Sequence, residues 1–418
     1  MKAQSEAPLT LADVDLVNPD SFVEGVPHHF FKILRREAPV YRHPEPDGPG
    51  FWAVTRYDDV VTISMDQGLY SSRRGGTNIA TMPEDALVFI RMLMLNMDPP
   101  QHTKYRRLVS KGFTPRIVRE LERHIREMTT DIIDGVIERG KCDFVTDIAA
   151  ELPLQVILEM MGVPNEDRHQ VFDWSNQLIG FDDPEYATSP ERGREAAAEM
   201  FMYANTLAVD RKGCPRDDVI STLMNAQVDG EALTETEFDA FFLLLSVAGN
   251  ETTRNLISGG MLTLLQHPES WAKVKAEPAL LYTAVEEMLR WVTPVMYFRR
   301  TVQRDTELRG VKIREGDKVC IYYGSANRDE EYFPDGDVFD ITRNPNPHVT
   351  FGPGGAHFCL GANLARLEIK VMFEELIRRL PDMELAGEPQ RLRSNFIAGI
   401  KHMPVRFTRA HRGGHRRG

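Results

Sequence analysis

Apolar residues recur at helical spacing through most of the chain and at strand spacing only in short stretches. Thr114–Glu138 shows the helical period behind a Thr-Pro start signal at Thr114 and Pro115. Asp147–Met161 and Glu191–Arg211 follow the same period. Thr234 to about Gln266 predicts one long helix, with Thr234 and Glu237 spaced as a capping box. Its early apolar residues surround the axis, so it is expected to be buried on most sides. Ala279–Trp291 and Leu360–Leu380 predict two more helices. Strand candidates are Phe51–Thr55, Thr306–Leu308, Val319–Tyr323 and Val405–Phe407. The pattern predicts a mainly α chain, an α-rich α+β plan with small sheets near the N-terminal third and before the C-terminus.

Length changes this picture little. At 418 residues the chain is long for one domain and short for three. A net charge of −12 argues against a general affinity for nucleic acid. The strongest apolar run, Ala240–Ala248, is about half of the roughly 18 residues that a membrane span needs. Met1–Thr10 is polar and lacks the apolar core of a secretion signal, so a cytoplasmic location is expected. Residues 409–418, almost all Arg, His and Gly, read as a basic, disordered, solvated tail rather than a nucleic-acid arm. No repeat or long linker divides the rest.

The cysteines, Cys142, Cys214, Cys320 and Cys359, stand far apart, which excludes a CxxC metal ribbon and argues against a disulfide framework. The first three read as ordinary thiols. Cys359 differs because it follows a glycine-rich stretch, Phe351-Gly352-Pro353-Gly354-Gly355-Ala356-His357-Phe358, and precedes a predicted helix. At a helix N-terminus, free N–H groups and a positive dipole end favour a thiolate. Such a thiolate can be a nucleophile, with His357 as the nearby base, or an iron ligand. A buried, inert cysteine beside a turn is the third reading.

Three other segments carry chemistry. Glu287 and Arg290 are spaced i, i+3 and can pair on one helix face. Glu120/Arg123, Glu191/Arg194 and Glu375/Arg378 have the same spacing, so the pair alone says little. Ala248-Gly249-Asn250-Glu251-Thr252-Thr253 interrupts the long helix with a glycine and two β-branched residues, which cost helical stability. It marks either a close helix crossing at Gly249 or a kink that opens the helix over a ligand. His102 and Arg106, in Asp98–Arg107, share a helix face.

Taken together and in this order, these segments resemble cytochromes P450, from about Asp20 to Phe407. Phe351 stands eight residues before Cys359, where the common signature has seven; a subgroup of actinobacterial sterol and branched-lipid hydroxylases resembles this chain in its longer loop. The resemblance implies one P450 domain over 1–408, haem b as cofactor and Cys359 as the thiolate on iron. It implies propionate donors at His102, Arg106, Arg300 and His357. Arg300 keeps the family's spacing to Asp305, and Arg299 does not. Ala248, Gly249, Phe351 and Gly361 are expected against the haem, Glu251 and Thr252 at oxygen activation, and Arg343 beside the Glu287–Arg290 pair.

The resemblance further implies a monooxygenase that uses molecular oxygen and electrons delivered singly by a ferredoxin-type donor with its reductase. Lys104, Arg107 and Arg366 are expected on the thiolate side, where they could meet an acidic partner or be ordinary surface charges. The thiolate would push electron density into iron and favour O–O cleavage. Met92, Met94, Val247, Val295 and Met296 are expected in a substrate pocket for an apolar small molecule. Val247–Asn255, Ser325–Asp329 and Asn344–Arg366 look like the sterol and methyl-branched-lipid subgroup, which implies hydroxylation at or near the end of an aliphatic chain. Rival readings are a P450 of another substrate class (macrolide, aromatic or terpenoid), a haem protein without turnover, and a cysteine hydrolase.

Overall fold

Thr234 closes the N-terminus of the central helix as its spacing predicts: the Thr234 N–H donates to the Glu237 carboxylate (2.8 Å), and the Glu237 N–H donates back to Thr234 Oγ1 (3.3 Å). The helix then runs unbroken over Glu235–Gln266, about 48 Å at 1.5 Å per residue. The computed structural model describes residues 9–186, 189–213 and 218–412. Cys214 and residues 413–418 of the basic tail lie outside them.

The central helix is sheathed by Glu151–Met161, Arg168–Ile179, Pro190–Gly213, Leu281–Val292 and Ala362–Arg379. Its Phe238, Phe241, Phe242, Leu256 and Met261 join Ile157, Met200, Met288 and Phe373 in the largest apolar core. This explains why its pattern is apolar all round rather than one-sided.

Other elements depart slightly from the pattern. Thr114 caps Pro115–Glu120, and a second helix, Glu122–Ile137, follows after Leu121. Val145–Ala149 forms a wider π turn before Glu151–Met161. The main sheet runs in the order Val40–His43, Phe51–Val54, Lys318–Tyr322, Tyr297–Val302, Tyr70–Ser71. All its pairings are antiparallel except that of Phe51–Val54 with Lys318–Tyr322. Tyr297–Val302 lacks apolar alternation because Arg299 and Arg300 interrupt it, yet both arginines are buried. A smaller sheet joins Glu384–Leu385, Pro404–Arg406 and Lys141–Asp143. The result is mainly α with small sheets. No helix among the described residues is long and apolar enough to cross a membrane. Cys142 and Cys320 are free thiols, and burial pushes both up to about 12, which keeps them protonated and unreactive.

Candidate active site

The cysteine loop is shaped by backbone that only glycine adopts easily. Gly352 has φ +84° and Gly355 φ +76°, and a Cβ on Gly355 would lie 2.9 Å from the Ser64 carbonyl oxygen. The Cys359 N–H donates to the Phe351 carbonyl (2.8 Å), closing the loop on itself. Gly361 then caps the helix Ala362–Arg379. Its N–H bonds the Cys359 sulfur, as the position at a helix start predicts. Burial nevertheless pushes the thiol up, and the Gly361 N–H, Arg106 and Arg366 only partly offset it. Cys359 lies deep in the protein, with its accessible face turned to a cavity. A metal cation would displace its proton.

That cavity, with about 1440 Å³ free of protein atoms including its mouth, lies between the central helix and the helix after the cysteine. Its walls include His102, Arg106, Ala248, Gly249, Thr252, Phe351, His357, Cys359 and Gly361, together with Met94 and Val295. Glu251, Arg300, Met92, Val247 and Met296 are not wall residues. Met296 turns the other way and packs with Phe31, Phe51 and Tyr297. Val247 leans on the main core, while the next two positions of the same helix face the cavity.

One group of wall and near-wall residues is cationic and short of anions. The rings of His102 and His357 lie 4.2 Å apart. Burial, then Arg106, lowers His102 to about 4, and burial, then Arg300, lowers His357 to about 2. Both imidazoles are therefore neutral near pH 7. His102 Nδ1 is buried without a partner. Among the described residues, Arg106 reaches only the Phe358 carbonyl (2.6 Å) and Arg300 only the Arg299 carbonyl (2.9 Å). Neither makes an ion pair among the described residues. Arg299, in contrast, is spent on the carbonyls of Asn78 (3.4 Å) and Ala80 (3.1 Å).

The central-helix motif stays helical. The missing Cβ of Gly249 is filled by Ile157, whose Cγ1 would lie 2.7 Å from it, so the close crossing is real. Thr252 Oγ1 donates to the Ala248 carbonyl (3.0 Å) and faces the cavity. Glu251 is buried facing elsewhere: Oε2 accepts from Arg254, which also bonds Asn176 (2.7 Å), and Oε1 has no partner. Burial raises its pKa, against the pull of Arg254.

Glu287 and Arg290 are wholly buried and pair through two bonds, 2.8 and 2.7 Å. Arg343 Nε stands 3.3 Å from Glu287 Oε2. Arg290 also caps the carbonyls of Asn327, Gly336 and Val338.

The residues present fit a haem. A buried thiol opens into an apolar-walled cavity. Space stands over Gly361, within 4 Å of whose missing Cβ nothing lies. Two guanidiniums lack an anion and His102 Nδ1 lacks a partner among the described residues, which two propionates would provide. No hydrogen bond joins His357 to Cys359 among the described residues; His357 bonds Ser72 (3.3 Å) and Met97 instead. A Cys–His nucleophile is therefore not assembled.

The sequence pattern of cytochrome P450 matches residues 27–384. This chain belongs to the cytochrome P450 family. A steroid C26-monooxygenase of Rhodococcus jostii (strain RHA1) is 44% identical over 408 residues, covering 96% of this chain and 86% of that protein. A methyl-branched lipid omega-hydroxylase of Mycobacterium tuberculosis (strain ATCC 25618 / H37Rv) is 44% identical over 410 residues, covering 95% of each chain. A Mycobacterium marinum cytochrome P450 solved with pseudoionone superposes with a TM-score of 0.89 at 40% identity, covering 97% of this chain and 100% of that one. The protein is thus a P450 monooxygenase, and P450s are haem-thiolate iron enzymes that use oxygen and redox partners.

Sequence reasoning passed over two features of this P450. Glu368 lines the cavity, is fully buried, and burial raises it to about 8. The signal was available: Gly361, Leu364, Ala365 and Glu368 form one helical stripe that is otherwise apolar or small. Arg366, expected at the surface for a partner, is held by Glu286 through two bonds of 2.7 and 2.9 Å. Lys104 pairs with Asp229, and Arg107 is exposed without an ion pair among the described residues.

Proposed function

We propose that this P450 hydroxylates a long apolar molecule, a methyl-branched lipid, isoprenoid or sterol side chain, at or near its terminus. The observation that carries this reading is the aliphatic surface beside Thr252. Leu244, Leu245 and Ala248 lie one to two turns before it on the same helix face, and Met94, Leu95, Val295 and Phe298 complete the wall. Such a surface favours an apolar substrate, and a long chain can lay its aliphatic end along it beside Thr252. Support also comes from the two relatives at 44% identity, named for steroid C26 and branched-lipid omega oxidation.

The haem, when bound, supplies the activation of oxygen and its transfer to carbon. Cys359 is the residue that would hold its iron. His102, Arg106, Arg300 and His357 would hold its propionates, with Ala248, Gly249, Phe351 and Gly361 against the ring. Thr252 Oγ1 is placed to pass a proton into the cavity. Glu251, bonded to Arg254 and turned from the cavity, would replenish that proton on leaving Arg254 and swinging toward Thr252. Glu287, Arg290 and Arg343 keep the segment before the cysteine folded. Residues 1–408 act as one domain, since one cavity draws on residues from Met94 to Glu368. Electrons come singly from a ferredoxin-type protein with its reductase, for which exposed Arg107, beside the Arg106 helix face, offers a cation.

The test supplies the haem-loaded enzyme with ferredoxin and reductase and four substrates. These are a methyl-branched fatty acid, an acyclic isoprenoid, a sterol with its side chain, and that sterol without it. Mass spectrometry of the products should place oxygen at or next to the chain end of the first three and none on the fourth. Oxidation of the sterol nucleus, or turnover of small polar compounds alone, would overturn the reading.

A further inference from the structure

Adjacent carboxylates on the helix Leu281–Val292 have opposite errands. Glu287 turns inward to Arg290, while Glu286 faces the cysteine loop. Arg366 Nε donates to Glu286 Oε1 (2.7 Å) and its Nη2 to Oε2 (2.9 Å), a two-bonded fork. His348 Nε2 lies 3.0 Å from the same Oε2. Its Nδ1 accepts the Thr350 N–H (3.4 Å), which leaves Nε2 to donate to the carboxylate. Burial alone would raise Glu286; bonds from His348 and Arg366 hold it down at about 2 instead. The carboxylate is therefore ionised throughout the working range.

The fork aims the guanidinium. Arg366 Cζ lies 4.6 Å from the centre of the Phe351 ring, the cation-over-ring arrangement. Phe351 in turn carries the carbonyl that accepts the Cys359 N–H. Arg366 is close enough to draw on the Cys359 sulfur electrostatically, whereas Glu286 does not figure among the charges acting there. The pair is neutral as a whole, and Arg366 is the member whose charge acts on the cysteine.

We propose that Glu286 is a positioning residue that holds Arg366 over Phe351 and so sets the positive charge felt by the Cys359 thiolate. The inference rests on Cys359 as the iron ligand. Reduction adds an electron at the metal, and a nearby positive charge favours the reduced form. Glu286→Gln leaves Arg366 uncompensated, so the haem reduction potential should move up. Arg366→Gln leaves the carboxylate uncompensated, so the potential should move down. The double variant restores neutrality and should return close to the parent value. Loosening of the loop, the alternative role, admits water in every variant and moves all three potentials in one direction.

The experiment titrates the haem-loaded parent, Glu286→Gln, Arg366→Gln and the double variant spectroelectrochemically, with the ferrous carbonyl band recorded for each. Opposite shifts in the single variants and recovery in the double one support the proposal. Shifts of one sign, no shifts, or a double variant further from the parent than either single overturn it. Should Glu286→Gln not retain haem, Arg366→Gln against the double variant carries the same sign test: removing the second charge must move the potential back up. Loss of the thiolate-type carbonyl band in the parent itself would instead refute the ligand assignment, so the two failures are distinguishable.

Discussion

Arg290→Ala removes one partner of a fully buried ion pair. Glu287 would keep the Asp340 N–H (2.9 Å), the Asn346 amide (3.0 Å) and Arg343 at its edge, but lose its two-bonded partner. Breaking such a pair from one side typically costs ~3–5 kcal/mol. The carbonyls of Asn327, Gly336 and Val338 lose their donor as well, at ~1–3 kcal/mol for each one that water does not reach. The expected loss is about 5 kcal/mol or more, comparable with the whole stability of a modest domain. Arg378→Ala is the matched control. It breaks a pair of the same spacing with Glu375, but Arg378 is 63% exposed and Glu375 keeps Arg126 (3.3 Å). With Arg378 in solvent and the buried Glu375 still paired to Arg126, the loss should be no more than ~1 kcal/mol. Urea unfolding followed by far-UV circular dichroism, with haem content per chain, reads both. Equal stability and full haem in the two variants would refute the buried-cluster argument.

Thr252→Ala should leave haem and substrate binding intact but divert reducing equivalents to peroxide, measured as product formed per electron pair consumed; unchanged coupling would remove Thr252 from proton delivery. Glu368 is raised from 4.5 to about 8, so between those values the folded chain keeps a proton that the unfolded chain releases, and stability falls as pH rises through that window. Glu368→Gln should abolish a pH-dependent loss of up to about 5 kcal/mol, seen as a flattened profile of unfolding free energy from pH 5 to about 8; an unchanged profile would contradict it. Gly249→Val should drive its side chain into Ile157 and cost ~1–3 kcal/mol in the same unfolding assay; a neutral result would show that the crossing can yield.

Much of the fold was legible because local signals and burial agree. The capping box at Thr234 and the all-round apolar pattern mark the central helix, and the glycines before Cys359 mark a loop that only they can form. The strand Tyr297–Val302 was hidden because two of its residues are arginines that fold up buried, Arg299 on the distant carbonyls of Asn78 and Ala80 and Arg300 on the Arg299 carbonyl and the Phe298 ring. Four Glu/Arg pairs share one spacing, and only the fold separates the buried Glu287–Arg290 from the exposed Glu191–Arg194 and from Glu375–Arg378, whose arginine alone is exposed. Glu120 and Arg123 do not pair with each other; they turn to Arg116 and Glu127. The motif around Gly249 was read as crossing or kink, and Ile157, distant in sequence, decides for a crossing. Arg254 stands three residues from Glu251, within reach on a helix, but its hold on that carboxylate depends on Asn176 and Phe172 of another helix. Arg366 looked free for a partner because nothing in its own segment reveals Glu286, eighty residues earlier.

The ferrous carbonyl spectrum tests the haem-thiolate assignment most directly. A thiolate opposite the gas shifts the Soret band strongly to the red. The haem-loaded parent should show that shifted band, and Cys359→His should lose it while still binding haem. Survival of the shifted band in Cys359→His would mean that another residue holds the iron, and the site built around this loop would be wrong.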